Sequence, residues 1–165
     1  MYDRTFIVNG VSKVFSMTGW RIGYGAGHKE LVKSISKIQS QCTTNPCSIS
    51  QMAAMFALEN EKTFLKDWLI KFENRKNFLV DFFSSIEGFK TFIPQGAFYL
   101  YVSCEGFIGK KYNDDKLISN DLDFSEFLLN HAKVAVVPGV AFGKSPYFRL
   151  SYATSLEKLK EACSQ

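Results

Sequence analysis

Lys13 and Arg21 stand eight residues apart in the stretch "SKVFSMTGWRIGYGAG" (12–27), among small and apolar neighbours. A lysine that serves as nucleophile or base must be uncharged part of the time, and apolar surroundings or a neighbouring cation promote that state. The residues around Lys13 (Val11, Val14, Phe15 and Met17) suit such surroundings. Arg21 offers a rigid fork of donors matched to a phosphate dianion. An amine and a phosphate-binding guanidinium on one segment fit an aldehyde cofactor that carries a phosphate, which is pyridoxal phosphate.

Other chemistries find less support. The four cysteines, Cys42, Cys47, Cys104 and Cys163, form no C-x-x-C pair, and His28 and His131 are not in register with them for zinc, so no metal site is expected. Cys42 and Cys47 read as inert thiols. The net charge is +4, and basic residues are interspersed with acidic ones, as in "EKTFLKDWLIKFENRK". That is the pattern of a solvated helix face and not of a nucleic-acid footprint. No run approaches the roughly 20 apolar residues of a membrane span. The start "MYDRTFIVNG" has no signal-peptide pattern, so free thiols in the cytoplasm are expected. With 46% hydrophobic residues, 16 of them Phe, the 165-residue chain has material for a packed core of one domain or slightly more.

The elements that must position these groups alternate between strand and helix. "TFIVN" (5–9) reads as a strand ending at the Asn9-Gly10 turn, and "RIGYGAG" (21–27) as a second, its glycines allowing close backbone approach. Apolar residues at 31, 32, 35 and 38 predict a helix over 28–41, which "TTNP" (43–46) ends. Ser48 is placed to cap the next helix, with Gln51 completing a capping box. Residues 60–86 read as a long amphipathic helix with Phe64, Trp68, Phe72, Leu79 and Phe83 near one face and Gly88 as its C-terminal cap. Beyond it, "GAFYLYVS" (96–103) predicts a strand and 124–132 a helix. "VAVVPGVAFG" (134–143) predicts a buried strand and glycine loop, "YFRLSYA" (147–153) a strand, and 155–165 a helix capped by Ser155. Tyr24 and Tyr99 read as packing residues. The class is α/β, with a boundary near residue 87.

The segment "SKVFSMTGWRIGYGAG" closely resembles the cofactor-attachment segment of class I, fold-type I aminotransferases of the bacterial aspartate aminotransferase kind. "TTNPCSISQMAA" (43–54), "PQGAFYLYV" (94–102) and "VAVVPGVAFG" with "YFRLSYATS" resemble further family segments in the family's order. The resemblance covers essentially the whole chain. It implies that 1–87 is the closing part of the large cofactor-binding domain with a long connecting helix, and 88–165 the small C-terminal α/β domain. It implies pyridoxal 5'-phosphate as cofactor, Lys13 as Schiff-base lysine and general base, and Arg21 on the cofactor phosphate. Ser12 is a further candidate for that phosphate, since Gly10 stands where some branches carry a serine for it. Arg149 is implied to grip the substrate α-carboxylate.

The activity so implied is transamination between an amino acid, aspartate favoured, and 2-oxoglutarate. Glutamate, prephenate or aromatic amino acids are alternative substrates. The family's N-terminal part, which supplies the glycine-rich phosphate turn and the acid that pairs with the pyridine nitrogen, has no counterpart here. Asp3 comes too close before Lys13 to be that acid. A truncated or split-gene fragment, inactive alone, is therefore the alternative reading. The expected partners are small amino and 2-oxo acids together with a second copy in a homodimer or a complementing N-terminal piece, with no nucleic acid, no membrane and a cytoplasmic location.

Overall fold

A computed structural model describes residues 1–60, 62–112 and 116–165. They form two compact units, Met1–Leu65 and Lys66–Gln165. The boundary read from the sequence lies near residue 87, after the long helix, whereas this division falls within that helix.

In the first unit, β1 (Ile7–Gly10) pairs antiparallel with β2 (Gly23–Ala26), with Gly10 opposite Gly23. The Phe6 ring lies directly over Gly25 and Gly27, the close approach for which those glycines were read. Arg21, expected at the start of this second strand, lies outside it. Its backbone is left-handed (φ 55°) where a short 3₁₀ turn, Thr18–Trp20, hands over to the strand. Helix α1 (Lys29–Cys42) follows as predicted. Helix α2 (Ser48–Glu59) does not start as predicted, for Cys47 holds the N-cap position and no side chain caps it. The Gln51 side chain instead donates to the Pro46 carbonyl (2.8 Å), so the expected capping box does not form. Val11, Met17, Ile22 and Ala54 make the small core of this unit, with Phe15, Ala53 and Ala57 packed against it.

Helix α3 (Thr63–Ser84) begins in the first unit and continues into the second. The expected start at residue 60 includes Glu61, which lies outside the described residues. Of its predicted apolar face, Leu79 and Phe83 are buried and Phe64, Trp68 and Phe72 half-buried. The helix ends at Ser84. Gly88, expected as its cap, instead sits four residues further on in a left-handed turn (φ 103°).

The second unit is built on an antiparallel sheet in the order β3 (Lys90–Thr91), β4 (Tyr99–Ser103), β8 (Tyr147–Ser151), β7 (Val137–Pro138). A separate short pair joins β5 (Lys111–Tyr112) to β6 (Lys116–Leu117). Helix α4 (Asp121–Phe127) starts three residues before the predicted 124. Asn120 caps it by accepting from the Leu122 and Asp123 amides, both at 2.9 Å. Its last turn, Leu128–Ala132, opens into a π-helix. Of the buried strand and glycine loop predicted over 134–143, the strand is shorter than expected, for only Val137–Pro138 pairs. Gly139–Phe142 coils into a 3₁₀ turn where the loop was expected, and a carboxylate of α4 takes the Val140 amide. Helix α5 (Leu156–Ser164) is capped by Ser155 as predicted, its hydroxyl accepting from the Lys158 amide.

The core beneath this sheet is aromatic. Phe83, Phe89, Phe107, Phe124 and Phe148 meet ring to ring, with centroids 4.5 Å apart at the closest, Phe89–Phe107. Cys104 is fully buried beside them, and its thiol is pushed up to about 11, first by burial and then by the Asp121 charge. A thiol raised above its unfolded value contributes stability at lower pH that is lost as pH climbs from about 9 toward about 11. Urea unfolding across that range is expected to show wild type losing more stability than Cys104→Val, whose curve lacks this component.

Candidate functional site

A first candidate site, in the N-terminal unit, is the loop between β1 and β2. Its mouth is closed by the Gly10–Gly23 pair and by the Val11 amide, which donates to the Ile22 carbonyl (3.4 Å). Within it Phe15 N–H reaches the Val11 carbonyl (3.3 Å) and Ser16 N–H the Lys13 carbonyl (3.2 Å), which winds residues 11–16 into a turn. Val11, Met17 and Ile22 point inward and are buried, and this pins the loop to α2 through Ala54. Lys13 is exposed and Ser12 half-buried. The apolar neighbours read as a pocket for the amine thus serve as the loop's anchor.

Arg21 closes the loop. Its Nη1 donates to the Thr18 carbonyl (2.8 Å), and this holds the guanidinium against the turn. Ser16 (φ 52°) and Arg21 (φ 55°) are both left-handed without being glycine, at a cost of roughly 1–2 kcal/mol each. Strain of this kind persists where the surrounding structure over-determines it, and it concentrates at functional sites. Ser12, Lys13 and Arg21, singled out from the sequence, therefore stand on one tethered loop. Asn45 lies elsewhere, exposed, with its side chain donating to the Pro46 carbonyl (3.1 Å).

A second candidate site lies in the C-terminal unit and is centred on Arg149. In the pleat of β8, Phe148 turns to the core, and Arg149 takes the opposite face with Tyr101 of β4 and Val137 of β7 as direct cross-strand partners. The guanidinium carbon lies 4.2 Å from the Tyr99 ring centre and 4.3 Å from that of Phe142, so two aromatic rings flank the ion. Among the described residues no carboxylate pairs with Arg149. Its N–H donors suit the recognition of an anion. Tyr99, read from the sequence as a packing residue, is one wall of this arrangement. Phe142 and the carboxylate that holds its turn, Asp121, were not singled out. Nothing in their local sequence marks them, because their roles depend on strand register and on a contact 19 residues apart.

The whole chain, residues 1–165, matches the family model for aminotransferase class I and II. The chain belongs to the class I and II aminotransferase family. It is 53% identical over 161 residues to a protein of Rickettsia typhi named "Probable aspartate/prephenate aminotransferase", a match covering 98% of this chain and 40% of that relative. It is 49% identical over 160 residues to an aspartate aminotransferase of Rhizobium meliloti, covering 97% of this chain and 39% of the relative. The crystal structure of the aspartate aminotransferase from Rhizobium meliloti superposes with a TM-score of 0.95 at 48% identity, over 99% of this chain and 41% of that one. That of the Thermotoga maritima aspartate aminotransferase gives 0.83 at 40% identity, again over 99% of this chain. This family chain therefore spans about two fifths of the length of the relatives it matches. The fold expected from the sequence, the C-terminal part of the fold-type I architecture, is the fold observed.

Among the described residues no helix is long and apolar enough to cross a membrane. Among the described residues no three His, Cys, Asp or Glu side chains gather as a metal site would require. The four cysteines are free. Cys47, read from the sequence as an inert thiol, is exposed at the N-cap of α2, where the nearby Ser50 and then Ile49 amides lower its pKa. Iodoacetamide at pH 7.5, followed by peptide mapping, is expected to alkylate exposed Cys47 well before half-buried Cys163 and buried Cys104. Burial raises both of the latter thiols.

Proposed function

We propose that this chain carries the lysine-bearing and carboxylate-binding parts of a pyridoxal-phosphate-dependent aminotransferase that exchanges an amino group between an amino acid, aspartate favoured, and 2-oxoglutarate. The observation that carries this reading is the single strained loop on which Lys13 and Arg21 stand together. The donor set fits the cofactor. An exposed amine suits its aldehyde, and a tethered guanidinium with the neighbouring Ser12 hydroxyl suits its phosphate. When bound, the cofactor supplies a carbonyl that accepts an amino group and a ring that withdraws electrons from the substrate Cα. Lys13 Nζ would be the point of covalent attachment, and as a free amine it would serve as the general base for the proton on the substrate Cα. Arg21 would hold the phosphate and so orient the cofactor. Arg149 binds the substrate α-carboxylate at its donor edge.

The names of the relatives support aspartate, and prephenate stands beside it in the Rickettsia typhi name. Glutamate and aromatic amino acids are the other substrates this reading admits. We assign residues 1–87 to the end of the large domain, 88–165 to the small domain, and the protein to the cytoplasm. A specific observation favours a second reading, that these 165 residues are inactive until joined by a complementing N-terminal piece or a second copy. Ile49 and Phe56 on α2 are 71% and 67% exposed, and Met52 between them is open as well. Apolar surface of that extent suits a partner.

Borohydride reduction of the folded chain with pyridoxal phosphate, followed by peptide mapping, is expected to label Lys13 alone. Label spread over many lysines, or none, in a chain that circular dichroism shows to be folded would sink the cofactor reading. Lys13→Arg is expected to abolish that label. Where activity is reconstituted, the same variant should lower the rate of transamination by at least about 100-fold.

A further inference from the structure

Asp121 is a buried carboxylate, 1% exposed, at the first position of α4, and among the described residues no cation pairs with it. Both its oxygens are engaged by a single segment. Oδ2 accepts from the Val140 amide and Oδ1 from the Ser145 hydroxyl, each at 2.6 Å, short enough to be charge-assisted bonds. Between these two anchor points lies Phe142, whose ring centre is 4.3 Å from the Arg149 guanidinium carbon.

The rest of the segment is wound tightly on the same anchors. Lys144 N–H donates to the Gly139 carbonyl (3.1 Å), which also accepts from the Tyr101 hydroxyl (3.3 Å), and Gly143 N–H donates to the Val140 carbonyl (3.0 Å). A Cβ on Gly139 would run into the Lys144 carbonyl, so only glycine admits this closure. Phe142 itself is 49% exposed, and its own burial is therefore a weak constraint on where the ring sits.

We propose that Asp121 is a positioning residue for Arg149: by holding the 139–146 segment at Val140 and Ser145 it keeps Phe142 on the guanidinium and so fixes the plane in which Arg149 presents its donors. The proposal rests on the reading of Arg149 as the carboxylate-binding residue, and the experiment separates the two.

The test uses the 165-residue chain labelled with ¹⁵N and the variants Asp121→Asn, Ser145→Ala, Phe142→Ala and Arg149→Lys. The Arg149 Nε–H signal, identified by its loss in Arg149→Lys, is shifted by the two flanking rings in the wild type. Asp121→Asn and Phe142→Ala are expected to move it in the same direction, and Ser145→Ala to move it part of the way. An unmoved signal in folded Asp121→Asn overturns the proposal. Where that variant fails to fold, an unmoved signal in Ser145→Ala does so. Titration with succinate is expected to show affinity about three- to thirtyfold weaker in Asp121→Asn, the range spanned by loss of one desolvated cation–π contact. No further loss is expected when Asp121→Asn is added to Arg149→Lys. Succinate affinity that is unchanged in Arg149→Lys, or absent in the wild type, overturns the carboxylate reading of Arg149, while the Nε–H signal still decides the role of Asp121.

Discussion

Strand β8 lies between β4 and β7, and its pleat separates core from chemistry in the C-terminal unit. Phe148 faces Leu100 and Val102 on the packed side, all three essentially without solvent contact, and Arg149 faces Tyr99 and Tyr101 on the other. A register slip of one residue would send the guanidinium into the phenylalanine cluster and the phenyl ring out of it. Burying an unpaired cation there is prohibitive, so the register is specified from both faces at once. The short flanking strands, the capped start of α4 and the 139–146 turn are all arranged around that register.

The two units solve the burial problem differently. The C-terminal unit explains the excess of phenylalanine over other aromatic residues. Its core is a continuous set of edge-to-face and tilted rings running from Phe83 through Phe89 to Phe124 and Phe148, a geometry that suits rings without a polar handle. The lysine-bearing unit has only a small core of Val11, Met17, Ile22 and Ala54, and it holds its loop by backbone bonds and strained residues instead. Many of its apolar side chains, among them Ile38, Ile49, Met52 and Phe56, stay open to solvent.

Much of this was legible in the chain itself. Glycine and Asn9-Gly10 bracketed the loop that carries Ser12, Lys13 and Arg21, apolar spacing marked α1 and α3, and Ser155 marked the start of α5. What escaped was set by competition and by distance. Ser48 has the residue type of a cap, yet the chain enters α2 one residue earlier, through Cys47. Asn120 wins the start of α4 because its side chain takes two amides, which the later apolar periodicity could not reveal. The run "VAVVP" looks like a strand, but Pro138 lacks an amide and Val140 gives its own to Asp121, so pairing stops after two residues. Tyr99 and Phe142 become walls of the arginine site only through the pairing of β4 with β8 and the closure of a distant turn.

The two rings beside Arg149 also carry a consequence for direction. With centres 4.2 and 4.3 Å from the guanidinium carbon, they fill space around the ion that water or a second anion would otherwise take. A carboxylate can still meet the fork of N–H donors along parallel bonds. The rings thus narrow the directions from which an oxyanion reaches the arginine.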